Sequence, residues 1–192
     1  IDEFAKVQTQ RQHARDVLAG MQQRVDNLVI DIKNAVITAL DQLVQLLATT
    51  RQTQGAVIDL LNVKYIDTKA VNALQEVLQQ YNLQLSQDTI NYLLRDEALQ
   101  PYEEKVAVQK AAVKNVTKVI DAQVIETAVK DIASELEVLI DILNSLKIED
   151  TTQTTRIIEK ISVIFASLNE VKADLARTIT SLRSSEATGE FH

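Results

Sequence analysis

Leu18-Ala19-Gly20-Met21-Gln22-Gln23-Arg24-Val25-Asp26-Asn27-Leu28-Val29-Ile30-Asp31-Ile32 is the stretch whose reading decides the fold. Leu18, Met21, Val25, Leu28 and Ile32 recur at alternating steps of three and four. That spacing is a helix with one apolar seam, and a seam needs a partner helix beside it. The pattern extends outward in both directions. Phe4, Val7 and Ala14 continue it toward the amino end, with Arg11 the one break, and Ala35 and Ala39 continue it toward the carboxyl end. From Val29 the stripe widens as Val36, Leu40, Leu43, Val44 and Leu47 join, which suits a bundle better than a two-helix coil. The spacing predicts one helix over Asp2–Ala48, in which Gly20 costs about 1 kcal/mol without stopping it. A rod of about 45 residues is on the order of 65 Å long, so an elongated chain is expected.

Composition agrees. Of 192 residues, 46% are hydrophobic but only 4% aromatic, and Trp is absent. With Gly 3 and Pro 1 the chain has few turn-formers, hence few and long elements. The expected fold class is all-α: an elongated antiparallel helical bundle, or coiled-coil hairpins, of four main long helices. The net charge of −7 disfavours a general nucleic-acid-coating role, which needs clustered cations. The lack of Cys removes disulfides, thiolate nucleophiles and cysteine zinc sites, and fits the cytoplasm. No apolar run reaches a membrane span, because Asp31, Lys33 and Asp41 interrupt the best candidate. The chain starts at Ile1 without a signal peptide and reads as a segment of a larger protein. Gly189-Glu190-Phe191-His192 is either native or a cloning remnant.

Beyond Ala48, Thr49-Thr50-Arg51-Gln52-Thr53-Gln54-Gly55 reads as a polar break, followed by one or two helical turns at Ala56–Leu61. Asp67 is a good N-cap for a second helix carrying Val71, Leu74, Leu78, Tyr81 and Leu85. Pro101 suits the first turn of a third helix, running to about Leu146 through Val106, Val113, Val116, Ile120, Ile125, Ile132, Leu136, Leu139 and Leu143. Residues 147–150 form a tight connection. A fourth helix begins near Thr151 and holds Ile157, Ile161, Ile164, Leu168, Val171, Leu175 and Leu182. The organisation is then one domain, 1–185, of two hairpins at about 2–98 and 101–185, with residues 186–192 frayed. An offset of 100 aligns Val29-Ile30-Asp31-Ile32 with Val129-Lys130-Asp131-Ile132 and Asp41 with Asp141; either duplication of a hairpin or convergence on one amphipathic pattern produces such matches.

No phosphate loop, Gly-rich dinucleotide turn, HExxH or ExxH pair is present. His13 reads as a surface residue, and Glu149-Asp150 as helix-start acids. No catalysis, cofactor or metal is expected of this segment. The most distinctive stretches are the two hydroxyl- and amide-rich segments at the expected hairpin tips, with Thr50, Arg51, Gln52 and Gln54 in one and Thr152, Gln153 and Arg156 in the other. They are either helix caps or a surface that meets a partner's acid or phosphate through guanidinium and hydroxyl donors. With helices alternating in direction, Arg51 and Arg156 would sit exposed at one end. Lys105, Lys110, Lys114 and Lys118 form a run without acids, the last three on one expected helix face, either simply solvated or in contact with nucleic acid. Another protein segment or a second copy is the expected partner; nucleic acid is the alternative, and no membrane is expected.

Ala48-Thr49-Thr50-Arg51-Gln52-Thr53-Gln54-Gly55-Ala56-Val57, Leu139-Ile140-Asp141-Ile142-Leu143 and the run from Leu146 to Ile158 resemble a large bacterial family of DNA repair ATPases. These are very long proteins with an AAA+ motor and helical segments. The resemblance implies a helical arm of an ATP-driven, nucleic-acid-linked machine. It carries no catalytic residue onto this chain, because the nucleotide-binding motifs are absent here.

Overall fold

A computed structural model describes residues 2–145 and 151–188. Every long element is helical, and no strand occurs among the described residues. The order is α1 (Asp2–Asn34), α2 (Leu40–Asp59), a 3-10 turn (Leu60–Asn62), α3 (Thr68–Leu93), α4 (Gln100–Val113), α5 (Val119–Ser145) and α6 (Thr151–Thr188). No helix is long and apolar enough to cross a membrane among the described residues. The chain divides into two compact units, 1–90 and 91–192.

In the first unit, Val25 and Leu28 of α1, Val57 of α2, Leu60, and Val71 and Leu78 of α3 form one buried cluster. Leu18, Met21, Ile32, Ile66 and Leu74 pack around it. Gln54 donates to Gln79 at 3.2 Å and Arg51 to Asn82 at 3.5 Å. As α2 is followed backward α3 is followed forward, so the two are antiparallel. Tyr65 takes a left-handed φ of 67°, which lets the chain reverse after the 3-10 turn. For a residue with a Cβ that conformation costs about 1–2 kcal/mol. Its ring lies 5.2 Å from the Arg11 guanidinium of α1. Asp67 then caps α3, its carboxylate accepting from the Ala70 N–H at 3.1 Å, as the sequence predicts.

The second unit is an up-down-up three-helix bundle in which α4, α5 and α6 each touch the other two. Lys105 meets Glu135 at 3.5 Å, while Lys105, Val108 and Gln109 share a cleft with Ala128, Asp131 and Ile132. That register makes α4 and α5 antiparallel. Lys110 meets Glu170 at 3.7 Å and Glu103 shares a pocket with Lys160, which makes α4 and α6 parallel. The core takes Ile125, Val129, Ile132, Leu136, Leu139 and Leu143 from α5. From α6 it takes Ile157, Ile161, Ile164, Leu168, Val171 and Leu175, the expected seam. Each fully buried Leu or Ile contributes about 1.5–3 kcal/mol over an exposed one.

Two expected helices are broken, giving six where the periodicity predicts four. The helix expected over 2–48 stops at Asn34 and restarts at Leu40. No Gly or Pro marks the break. Its local cause is Gln42, whose side-chain carbonyl accepts from the Thr38 N–H at 2.6 Å and the Ala39 N–H at 3.1 Å. That is the reciprocal half of a capping box. The β-branched run Val36-Ile37-Thr38 helps, since such residues lose rotamer freedom in a helix. Val36, expected in the seam, is 77% exposed. The helix expected over 101–146 breaks at residues 114–118: past the end of α4 the Asn115 N–H donates to the Ala112 carbonyl at 3.1 Å and its side-chain amide to the Ala111 carbonyl at 3.5 Å. The break resets the phase, so Ile120, expected in the seam, is 67% exposed.

The polar break expected at 49–55 is absent: α2 runs through it without interruption. Leu47, Thr50, Thr53 and Val57 form one buried stripe. Gly55 sits in the helix with nothing within 4 Å of where a Cβ would lie. Pro101 occupies the first turn of its helix, as expected. α6 continues past Arg183 through Thr188, where fraying is expected from residue 186. Positions 100 apart fall in different parts of their elements: Asp41 is in the first turn of α2, Asp141 near the end of α5. The connection at 147–150, with Glu149 and Asp150, and the tail 189–192, with His192, lie outside the described residues.

Candidate functional site

The first group of sequence candidates does not form a hairpin tip. Thr50 is fully buried, and its hydroxyl donates to the Leu46 carbonyl at 2.7 Å. Thr53 donates to Thr49 at 2.8 Å in the same way. A Thr so bonded keeps its methyl in the core and hides its hydroxyl from partners. Arg51 is half-buried against Asn82, and Gln54 is tied to Gln79. Gln52 alone of the four is exposed. The premise that Arg51 and Arg156 sit at two hairpin tips therefore falls, because residues 49–55 are not a turn.

The second group opens α6. Thr152, Gln153 and Arg156 are exposed, and Thr151, Thr152, Thr155, Arg156 and Glu159 line a shallow concavity. Thr155 spends its hydroxyl on the Thr151 carbonyl at 2.8 Å.

The lysines do not share one helix face. Lys110 lies in α4 and is paired with Glu170. Lys114 caps the end of α4, and Lys118 precedes α5, its carbonyl accepting from the Ala122 N–H. The break at 114–118 separates them. Lys105, beside them in sequence, bridges to Glu135 and covers the Tyr102 ring at 5.2 Å. Two of the four cations are thus used to fasten α4 to its neighbours.

Among the described residues no group of three or more His, Asp or Glu is arranged to hold a metal ion. A concavity with an apolar floor lies elsewhere, between α5 and α6. It holds about 500 Å³ and is lined by Glu126, Val129, Lys130, Lys172, Leu175, Ala176, Ile179, Thr180 and Arg183. Val129 and Leu175 are its buried floor, Ile179 is half-buried, and Ala176 is open. Glu126 and Lys130 pair at 3.3 Å.

The groove faces away from α4. At 100° per residue, Glu126 lies about 180° around α5 from Glu135, which meets α4. Ile179 likewise lies about 180° around α6 from Glu170, which also meets α4. The α5–α6 pair thus meets α4 on one side, and the groove lies on the other. Ala176 and Thr180 are small side chains in its lining.

Sequence reading places Leu175 and Leu182 in a seam but leaves the groove unseen. The missing signal is the register of α5 beside α6, which no single-helix pattern contains.

Residues 97–181 match the model of DUF7902, a domain of unknown function. The match takes in α4, α5 and most of α6, all within the second unit. No curated protein and no solved structure matches the chain.

Proposed function

We propose that the chain is a non-catalytic helical interaction module that works in the cytoplasm as an elongated arm of antiparallel coiled hairpins in a larger ATP-driven, nucleic-acid-linked protein. The observation that carries the interaction reading is the open α5–α6 face: a buried apolar floor of Val129 and Leu175 with exposed walls. Such a face on a bundle is the ordinary seat of another helix. The larger setting rests on the resemblance of residues 48–57 and 139–158 to the DNA repair ATPases.

A photo-crosslinking amino acid at Ala176, in the groove, tests the reading in cells. Crosslinks to protein, together with no ATP turnover by the purified chain, are expected. ATP hydrolysis by the chain refutes the non-catalytic part. Crosslinks confined to nucleic acid favour the alternative, a nucleic-acid-binding helical domain, and refute the protein-docking part.

A further inference from the structure

We infer that the α5–α6 groove takes one acidic amphipathic helix from another protein. This rests on the interaction-module reading and names the chemistry of its partner. Charge argues for it first. The chain carries −7 overall, yet the groove gathers Lys130, Lys172 and Arg183 against the single acid Glu126. Glu126 is taken up by Lys130. Lys172 and Arg183 are exposed and make no ion pair among the described residues. A locally cationic rim attracts a partner's acids and disfavours a symmetric contact in which the same rim of a second copy faces it.

The placement of those charges argues next. Residues 172 and 183 are 11 apart on α6, close to three turns and on the same face, about 16 Å from end to end. Leu175, Ala176 and Ile179 lie between them. A helix laid along the groove would set a Leu or Ile against Ile179 and carboxylates about three turns apart against the two cations. The apolar floor decides against a phosphate backbone, and no aromatic side chain lines the groove for bases to stack on.

The test uses the full chain with a single reporter. The chain has no Cys, so Ala176→Cys accepts one environment-sensitive dye in the groove. The probe is a 21-residue Ala/Leu helical peptide with leucines at positions 8, 11 and 15 and glutamates at positions 5 and 16 on the flank. The control peptide has lysines in place of the glutamates. Saturable binding of the acidic peptide is expected, weakened about tenfold by Lys172→Glu with Arg183→Glu and by raised salt, with no binding of the lysine peptide. Both substituted residues are exposed, so circular dichroism should show an unchanged fold. Ile179→Glu should remove binding as a second variant. Equal binding of both peptides, or of neither, overturns the inference. A concentration-dependent dimer in light scattering that Ile179→Glu dissolves also overturns it, in favour of a second copy, while leaving the interaction-module reading intact. Binding of a fluorescein-labelled single-stranded DNA 20-mer that Lys172→Glu and Arg183→Glu abolish overturns the inference and the protein-docking reading together.

Discussion

Replacing Gln42 with Ala separates the structure from the single long helix that periodicity predicts. Gln42 Oε1 accepts from the Thr38 N–H at 2.6 Å, the Ala39 N–H at 3.1 Å and the Thr38 hydroxyl at 3.3 Å. The site is exposed, so water satisfies the freed N–H groups and the full desolvation penalty does not apply. The loss is that of a helix cap, about 1 kcal/mol, offset by a few tenths from the better helix propensity of Ala. In a unit of 90 residues a loss of about 1 kcal/mol lowers the midpoint by about 4–8 °C. A helix continuous over 2–48 gives the opposite sign: Gln42 would be a mid-helix surface residue, and Ala would be neutral or slightly stabilising. Gln42→Glu keeps the acceptor and adds negative charge at a helix start, so it should match the parent or exceed it by about 0.3–1 kcal/mol. Thermal melts by circular dichroism order the three proteins, and hydrogen exchange at the amides of residues 38 and 39 reads the cap directly. A midpoint for Gln42→Ala at or above that of the parent would sink the helix break and its capping explanation.

Leu168, fully buried on α6, should cost about 2–5 kcal/mol when cut to Ala, measured by urea unfolding; a loss below about 1 kcal/mol would mean the three-helix core is not packed there. Gly55→Ala should stabilise by about 0.5–1 kcal/mol, because the position is helical and a Cβ meets nothing within 4 Å. A loss of stability would return residues 49–55 to a turn. Thr50→Val should leave stability within about 1 kcal/mol, since the hydroxyl bonds only its own helix and the shape is kept. If that substitution instead abolishes partner binding without unfolding, the Thr50 hydroxyl is a recognition group after all.

The sequence alone determined that this is an all-α chain, because seam spacing and scarcity of Gly and Pro leave no other way to bury so much Leu, Ile and Val. It determined the core face of α6, Ile157 to Leu175, where the heptad spacing is unbroken, and the starts of α3 and α4, where Asp67 and Pro101 act through local backbone chemistry. Tertiary structure decided the rest. Thr49 to Gly55 have turn-like composition, yet Thr50 and Thr53 continue the stripe of Leu47 and Val57 once their hydroxyls are folded back onto the preceding turn. The breaks at 35–39 and 114–118 carry no Gly or Pro. They come from side chains bonding backbone groups and from the need of each helix to aim its stripe at its neighbours, so Val36 and Ile120 end outside. The candidate site depends most on assembly. Lys172, Ala176, Ile179 and Arg183 form an ordinary helix face by themselves; they become the wall of a groove because α5 packs alongside. Helical periodicity specifies which residues share a face, and only the register between helices specifies what that face meets.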